Sequence, residues 1–426
     1  MRTSHLVLSA LIIFLASSCK QDMRNKSAQE ILGNPAYQAM SFGGYREKSR
    51  DEVPTVDQLK NGMKILHAMG VRVIRTYNTQ QFDQASNLLE AIKQLKAKNA
   101  DFEMYVMLGA WIDCEGAWGP NPNHEAESEE NNRKEVEAAV QMAQEYPDIV
   151  KMIAVGNEAM VHWAASYFVR PHVILKWVNY LQDLKASGDL SKDVWITSSD
   201  NFASWGGGDE SYHRDDLNEL IKAVDFLSVH TYPFHDTHYQ PDYWGVMNGE
   251  ENLSKEEQIE KAMTRAAEYA KTQYGNVLNY LERIGVEKPV HIGETGWASK
   301  TNHMYGTEGT KATDEYKEKL YYDKMLAWTN ANNISCFYFE AFDEQWKDAS
   351  NPLGSENHFG LINLNSEAKY ALWDEVDKGT FEGMERNGKP ITKTYGGDFE
   401  ALMKDVSAPP YKGDSSLVSD TTQVAH

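Results

Sequence analysis

The stretch Met152-Ile153-Ala154-Val155-Gly156-Asn157-Glu158 decides the fold: an apolar run of strand length breaks off in a glycine and two polar side chains, and a segment of helical period follows at Arg170–Lys185. The same unit recurs along the chain. Short apolar or β-branched runs lie at Ala39–Gly43, Val71–Thr76, Phe102–Leu108, Val194–Ser198, Val224–Val229, Val290–Gly293 and Ile334–Phe339. Helical spacing is clear at Thr55–Met69, Asp83–Lys98, Asn131–Glu145, Lys255–Leu281 and Asp314–Asn330, with apolar residues placed to bury one face. Eight strand-then-helix units predict an α/β chain closed into a (β/α)8 TIM barrel. A doubly wound open sheet shares the alternation, but the first strand-to-helix turn, Phe42-Gly43-Gly44-Tyr45, is too short for a G-x-G-x-x-G cradle.

The barrel segment is read as 37–378. Residues 1–19 carry Arg2, an apolar run from Leu6 to Leu15 and the small-residue end Ala16-Ser17-Ser18-Cys19, the pattern of a secretory signal too short to span a bilayer. Leu15-Ala16-Ser17-Ser18-Cys19 resembles a bacterial lipoprotein box, which makes Cys19 the expected lipidation site and places the protein on a bacterial membrane, facing periplasm or exterior. Residues 20–36 are polar and read as a flexible tether, and 379–426 as a peripheral extension with a disordered tail. The remaining cysteines, Cys114 in a predicted loop and Cys336 in a predicted strand, are placed so as to disfavour a disulfide.

The formal charge of -21 repels nucleic acid phosphates and anionic membranes, and no basic patch offsets it. Neutral polymers and small molecules are the better ligand classes, and contact with a membrane is expected through the lipid anchor only. Neither a phosphate loop nor a cofactor motif is visible, so no cofactor is expected, and the default assembly is a monomer.

In a barrel the chemistry lies where strands end and βα loops begin. Strand 4 ends in Asn157-Glu158, strand 7 in Gly293-Glu294-Thr295-Gly296-Trp297, and strand 8 in Phe339-Glu340-Ala341-Phe342-Asp343-Glu344-Gln345-Trp346-Lys347. Two carboxylates facing each other across the mouth suit glycosidic cleavage, one to protonate the leaving oxygen and one to meet the oxocarbenium ion. A gap of about 5–5.5 Å lets the second attack carbon with retention, whereas about 6.5–9.5 Å admits a water and inverts. Repulsion should raise the pKa of the less hydrogen-bonded carboxyl and so make it the acid. Asn157 is placed to bond a sugar hydroxyl. An apolar-Gly-Asn-Glu tetrad or a Glu-Thr-Gly alone is only a turn signal, and the weight comes from finding both at strand ends of one eight-strand count.

These residues carry a resemblance. Val155-Gly156-Asn157-Glu158, Gly293-Glu294-Thr295-Gly296-Trp297 and Phe337–Lys347 are similar to the three signatures of glycoside hydrolase family 17, over roughly Ala39 to Ala371. Val73–Tyr77 and Ser228–Phe234 add to the likeness. That family comprises β-1,3-glucanases, licheninases and fungal β-1,3-glucan transferases. The resemblance implies a retaining enzyme with Glu158 as general acid/base and Glu294 as nucleophile. It also implies Tyr77 and Tyr232 beside the nucleophile and Glu340, Glu344 and Lys347 lining a sugar cleft. The chain departs from the pattern at His230, which stands where the family commonly carries Asn, and in long insertions after strands 3 and 6.

The expected activity is therefore endo-acting hydrolysis of β-1,3-glucan by double displacement. A transglycosylase and a non-catalytic glycan-binding lipoprotein stand as alternatives, and β-1,3 against mixed linkage stays open. Trp111, Trp118, Trp163, Trp205, Trp244, Trp297 and Trp346 follow predicted strands and are candidate sugar platforms, above all Trp297 and Trp346, which flank the signatures. The plainer readings are core packing for each tryptophan singly and a solvated ion pair for Glu344 and Lys347. His230, His235 and His238 are spaced too irregularly for a metal site, so no metal is expected and they read as ordinary loop residues.

Overall fold

In the computed structural model, which describes residues 26–412, the eight expected strands form one closed parallel barrel in the order β1-β8-β7-β6-β5-β4-β3-β2. The strands are β1 Gln38–Ser41, β2 Val71–Arg75, β3 Tyr105–Ala110, β4 Val150–Asn157, β5 Trp195–Asn201, β6 Leu227–His230, β7 Val290–Gly296 and β8 Cys336–Phe339. Helices α1 Val56–Ala68, α2 Gln84–Lys98, α3 Glu129–Glu145, α4 Pro171–Ser187, α5 Asp215–Ala223, α6 Lys255–Arg283 and α7 Glu315–Ala331 return the chain between successive strands. Their ends follow local chemistry. Thr55 with Gln58 and Ser254 with Glu257 form capping boxes that start α1 and α6. Pro171 opens α4, and Gly188, left-handed at φ 89°, closes it.

Two apolar layers hold the barrel. Between strands and helices lie residues such as Ile74, Leu88, Val106, Ile153, Ile174 and Met325. Inside the barrel, Ala39, Val73, Tyr105, Met107, Met152, Ala154, Phe226 and Phe337 form a separate cluster. Strands β4, β5 and β7 run past their apolar stretches, to Asn157, Asn201 and Gly296. Hydrophobicity stops where polar side chains begin to face the mouth, while backbone pairing continues, as Asn157 with Ser199 and His230 with Glu294.

Several segments differ from expectation. Residues 26–36 are folded rather than a tether: Ser27 forms a capping box with Glu30 over a helical turn Ala28–Ile31. Ala28 and Ile31 are fully buried against the barrel interior. The Ala28 amide donates to the Asp193 carbonyl at 3.2 Å, so this turn plugs the amino-terminal end of the barrel. Ala28, Ile31 and Leu32 are too few apolar residues in a polar stretch to give a periodic signal, and their purpose exists only once the barrel end is formed.

Residues 379–412 are likewise packed, with Phe381, Arg386, Ile391, Leu402 and Val406 buried and Lys317 donating to the Ser407 carbonyl at 2.7 Å. Cys114 lies in a strand pair, Cys114–Glu115 with Asn123–Glu127, rather than in a loop. Both Cys114 and Cys336 are free and buried. Residues 1–25, with Cys19, and the terminal residues expected to be disordered lie outside the described residues.

Replacing Ile31 by Ala should destabilise the barrel by about 2–4 kcal/mol, because a fully buried side chain is removed from a site that cannot collapse easily. The urea midpoint reads this directly, and a loss below about 0.5 kcal/mol would show that the plug does not support the fold.

Candidate active site

Glu158 follows β4 through a tight backbone turn. Gly156 is left-handed at φ 84°, where a Cβ would approach Ala159 Cβ at 2.8 Å, and Glu158 itself has φ 46°. The Glu158 amide donates to the Ser199 carbonyl at 2.9 Å, which ties the turn to β5. The side chain is then presented at the carboxyl end of the barrel with 15% exposure. Its Oε1 lies 3.1 Å from His230 Nδ1 at the end of β6, and His230 Nε2 lies 2.7 Å from Ser199 Oγ.

Glu294, in β7, accepts three donors. Arg75 Nη1 meets Oε2 at 2.6 Å, the Tyr77 hydroxyl meets Oε2 at 2.9 Å, and the Tyr232 hydroxyl meets Oε1 at 2.6 Å. Arg75 reaches the site from the end of β2 and is almost fully buried. The same guanidinium donates from Nη1 to the Gly293 carbonyl at 3.1 Å and from Nη2 to Asn157 Oδ1. It thereby fixes the residue next to Glu158 and the carboxylate of Glu294 in one frame. Gly293 leaves no room for a side chain, since a Cβ there would come within 2.0 Å of Ser228 Oγ.

The two carboxyls sit in opposite electrostatic settings. Burial, with the Glu294 charge adding to it and Arg75 opposing, pushes the Glu158 carboxyl up to about 8. Burial acts on Glu294 in the same sense, but His230 in the acid range where it is protonated, the Arg75 guanidinium and the Tyr232 and Tyr77 hydroxyls outweigh it and hold that carboxyl below its usual range. Burial also lowers His230 to about 4, so its ring is neutral at neutral pH. A neutral imidazole can accept the hydrogen bond of protonated Glu158 at Nδ1 while donating from Nε2 to Ser199. At neutral pH one carboxyl is a proton donor and the other an anion, which equips the mouth for acid-assisted displacement at carbon.

The β8 loop forms another wall. Lys347 Nζ meets Glu340 Oε1 at 2.5 Å, with side chains 11% and 1% exposed, so the ion pair is buried rather than solvated. Glu344 accepts the Tyr45 amide at 2.9 Å and Trp346 Nε1 at 2.7 Å. Gly43 lies over the same carboxylate, where a Cβ would fall 2.6 Å from its oxygens. Trp346 stays half-buried beneath the Arg50 guanidinium, 4.4 Å from its ring centroid.

The tryptophans divide. Trp297 is fully buried, donates to the Ala312 carbonyl at 2.8 Å and contacts Phe234, Trp244 and Tyr321, so the expectation of a sugar platform there is corrected to packing between strand and helix. Trp205 and Trp244 are buried too, while Trp111, Trp118, Trp163 and Trp346 reach the surface. His230 is also corrected: it is a buried strand-end residue bonded to Glu158 and not an ordinary loop histidine. Among the described residues no group of three or more His, Cys, Asp or Glu could hold a metal ion.

The residues that sequence reasoning missed are Arg75 and the Ser199–His230 pair. Arg75 had a signal, because two-residue alternation puts it on the same face as Val73, inside the barrel, where a lone charge needs a partner.

A parallel barrel that brings Glu158, directly after β4, and Glu294, in β7, to one mouth with their pKa values pushed apart is the arrangement a glycoside hydrolase needs. Residues 39–360 match the BtgE/BtgC glycoside hydrolase domain, and the chain belongs to that family. It is similar to a crystal structure of an endo-laminarinase from Formosa Hel1_33_131, at 60% identity and a TM-score of 0.89, over 93% of this chain and 99% of that one. It is 26% identical over 319 residues to a glucan 1,3-beta-glucosidase of Arthroderma benhamiae, covering 72% of this chain and 81% of that protein. A glycoside hydrolase family 17 beta-1,3-glucanosyltransferase from Rhizomucor miehei shares the fold, at 21% identity and a TM-score of 0.54, over 79% and 96% of the two chains.

Replacing Tyr232 by Phe removes a donor 2.6 Å from Glu294 and should raise that carboxyl's pKa. Carbon-13 NMR titration of the glutamate carboxyls reads the shift, and an unmoved Glu294 would contradict the assigned role of the phenol.

Proposed function

We propose that the protein hydrolyses internal β-1,3 bonds of laminarin-like glucan with retention of anomeric configuration. The observation that carries this reading is the arrangement at the mouth, where Arg75, Tyr77 and Tyr232 hold the Glu294 carboxylate and His230 bonds the Glu158 carboxyl; retention rests on the likeness of Val155–Glu158 and Gly293–Trp297 to the family 17 signatures. The substrate rests on the similarity to the Formosa endo-laminarinase and to the Arthroderma glucan 1,3-beta-glucosidase.

Glu294 attacks the anomeric carbon as Glu158 gives its proton to the glycosidic oxygen, which leaves with the reducing-end part of the chain. Glu158, now a carboxylate, takes a proton from water as that water attacks the same carbon and releases Glu294. Arg75, Tyr77 and Tyr232 keep Glu294 ionised and oriented, and His230 holds the Glu158 carboxyl. Asn157, its Oδ1 held by Arg75, offers its amide nitrogen to a sugar hydroxyl, Lys347 and Trp346 face the cleft, and the buried Glu340 and Glu344 position them.

Exchanging Glu294 for Gln should lower laminarin hydrolysis by about a thousandfold or more, measured as reducing-sugar release; substantial remaining turnover contradicts the assignment. The pH profile follows from the shifts. Glu158 must carry its proton, so kcat/KM should fall as pH rises through about 8. Glu294 must be ionised, so the acid limb should lie below the usual carboxylate range. A basic limb several units lower would contradict so strong an upward shift of the Glu158 carboxyl. Proton NMR of the first product distinguishes β retention from inversion, and chain lengthening in concentrated oligosaccharide would reveal transglycosylation.

We further propose that Cys19 is acylated and anchors the protein to a bacterial membrane, facing periplasm or exterior; the leader-like residues 1–19 support this. Among the described residues no helix is long and apolar enough to cross a membrane. Incorporation of radiolabelled palmitate should be lost in Cys19→Ser, and labelling that persists in the variant would overturn the proposal.

A further inference from the structure

Trp118 is 62% exposed, yet its ring is fixed from beneath. It stacks on Tyr167 with centroids 4.9 Å apart and planes at 23°, and it lies nearly parallel to Trp111 at 6.4 Å and 25°. Trp111 in turn meets Tyr167 at 5.2 Å, and Trp111 Nε1 donates to Asp113 at 2.7 Å. The backbone is as constrained as the ring. Trp118 has φ 64°, a region that bulky side chains seldom occupy and that persists only where surrounding contacts impose it. Its amide donates to the Ser166 carbonyl at 2.8 Å, and the Cys114 amide donates to the Tyr167 carbonyl at 3.1 Å. The strand pair between β3 and α3 is thus fastened to the loop that leaves Glu158.

That loop locates the stack relative to the reaction. The Val169 amide donates to the Ala159 carbonyl at 2.6 Å, which folds the segment carrying Tyr167 back beside the residue that follows Glu158. In the displacement described above, Glu158 delivers its proton to the oxygen between the anomeric carbon and the departing sugar. The departing part of the chain therefore runs out on the acid's side of the mouth. A flat, exposed indole there, already ordered, can receive the apolar face of a glucosyl ring without the entropy loss of freezing a mobile side chain.

We propose that Trp118, supported by Tyr167 and Trp111, is a binding platform for the glucosyl units on the leaving-group side of the scissile bond. This deepens the reading of the protein as a β-1,3-glucan hydrolase and rests on it. The platform would favour long departing chains over short ones and thereby set where along an oligosaccharide the enzyme cuts.

The test uses laminarihexaose labelled at its reducing end and full-length protein. In the active enzyme, Trp118→Ala should shift cleavage toward the reducing end, so that the labelled fragments become shorter. In a Glu294→Gln background, Trp118→Ala should weaken hexaose binding by about fivefold in isothermal titration calorimetry, whereas Trp118→Phe keeps most of the affinity. Thermal unfolding checks that each variant is folded. Unchanged affinity and unchanged fragment lengths overturn the platform, and longer labelled fragments place it on the wrong side of the bond. A parent protein that neither cuts nor binds laminarihexaose defeats the functional reading itself, and the platform with it.

Discussion

The contact on which the rest depends is the one between Arg75 and Glu294, an ion pair of 2.6 Å in a nearly closed setting. A carboxylate at that depth would take up a proton if left alone, because burial favours the neutral form. Arg75 supplies the opposing charge, and Tyr77 and Tyr232 supply two further donors, so the anion survives, as the proposed nucleophile requires. The arrangement also polarises its neighbour. An ionised Glu294 adds to the burial that keeps Glu158 protonated, so the two carboxyls set each other's protonation.

Arg75 is structural as well as electrostatic. From β2 it bonds to Asn157 at the end of β4 and to Gly293 and Glu294 in β7, three strands that are not all neighbours in the barrel. Such a guanidinium spans the mouth and fixes β2, β4 and β7 against one another. A buried charge of this kind is expensive unless fully partnered, and removing either member of the pair leaves the other uncompensated. The barrel beneath bears that cost with an apolar interior closed at its other end by Ala28 and Ile31.

Much of this was legible in the sequence. The eight strands were readable because each is an apolar run followed by a segment of helical period, and Glu158 and Glu294 stood out as polar residues directly after such runs. What stayed hidden were features whose meaning lies in another element. The turn at Ala28–Ile31 is too short to have a period, and residues 379–412 bury apolar residues too widely spaced to show one. Trp297 looked like a sugar platform because it follows Gly296, yet it points into the layer between strands and helices, a direction that adjacency to a signature does not encode. His230 looked like one member of a scattered trio, and only the pairing of β6 with β7 brings it level with Glu294 and within reach of Glu158.

The central claim is that Glu294 is the atom-bonding partner of the sugar and Glu158 is not. A 2-deoxy-2-fluoro laminaribiosyl fluoride slows breakdown of a glycosyl–enzyme intermediate enough for it to accumulate, and peptide mass spectrometry then locates the attached sugar. The account predicts one adduct, on the peptide containing Glu294, that decays when an acceptor sugar is added. A sugar found on Glu158, or complete turnover to the inverted fluoro-sugar with no adduct at any time, would contradict it.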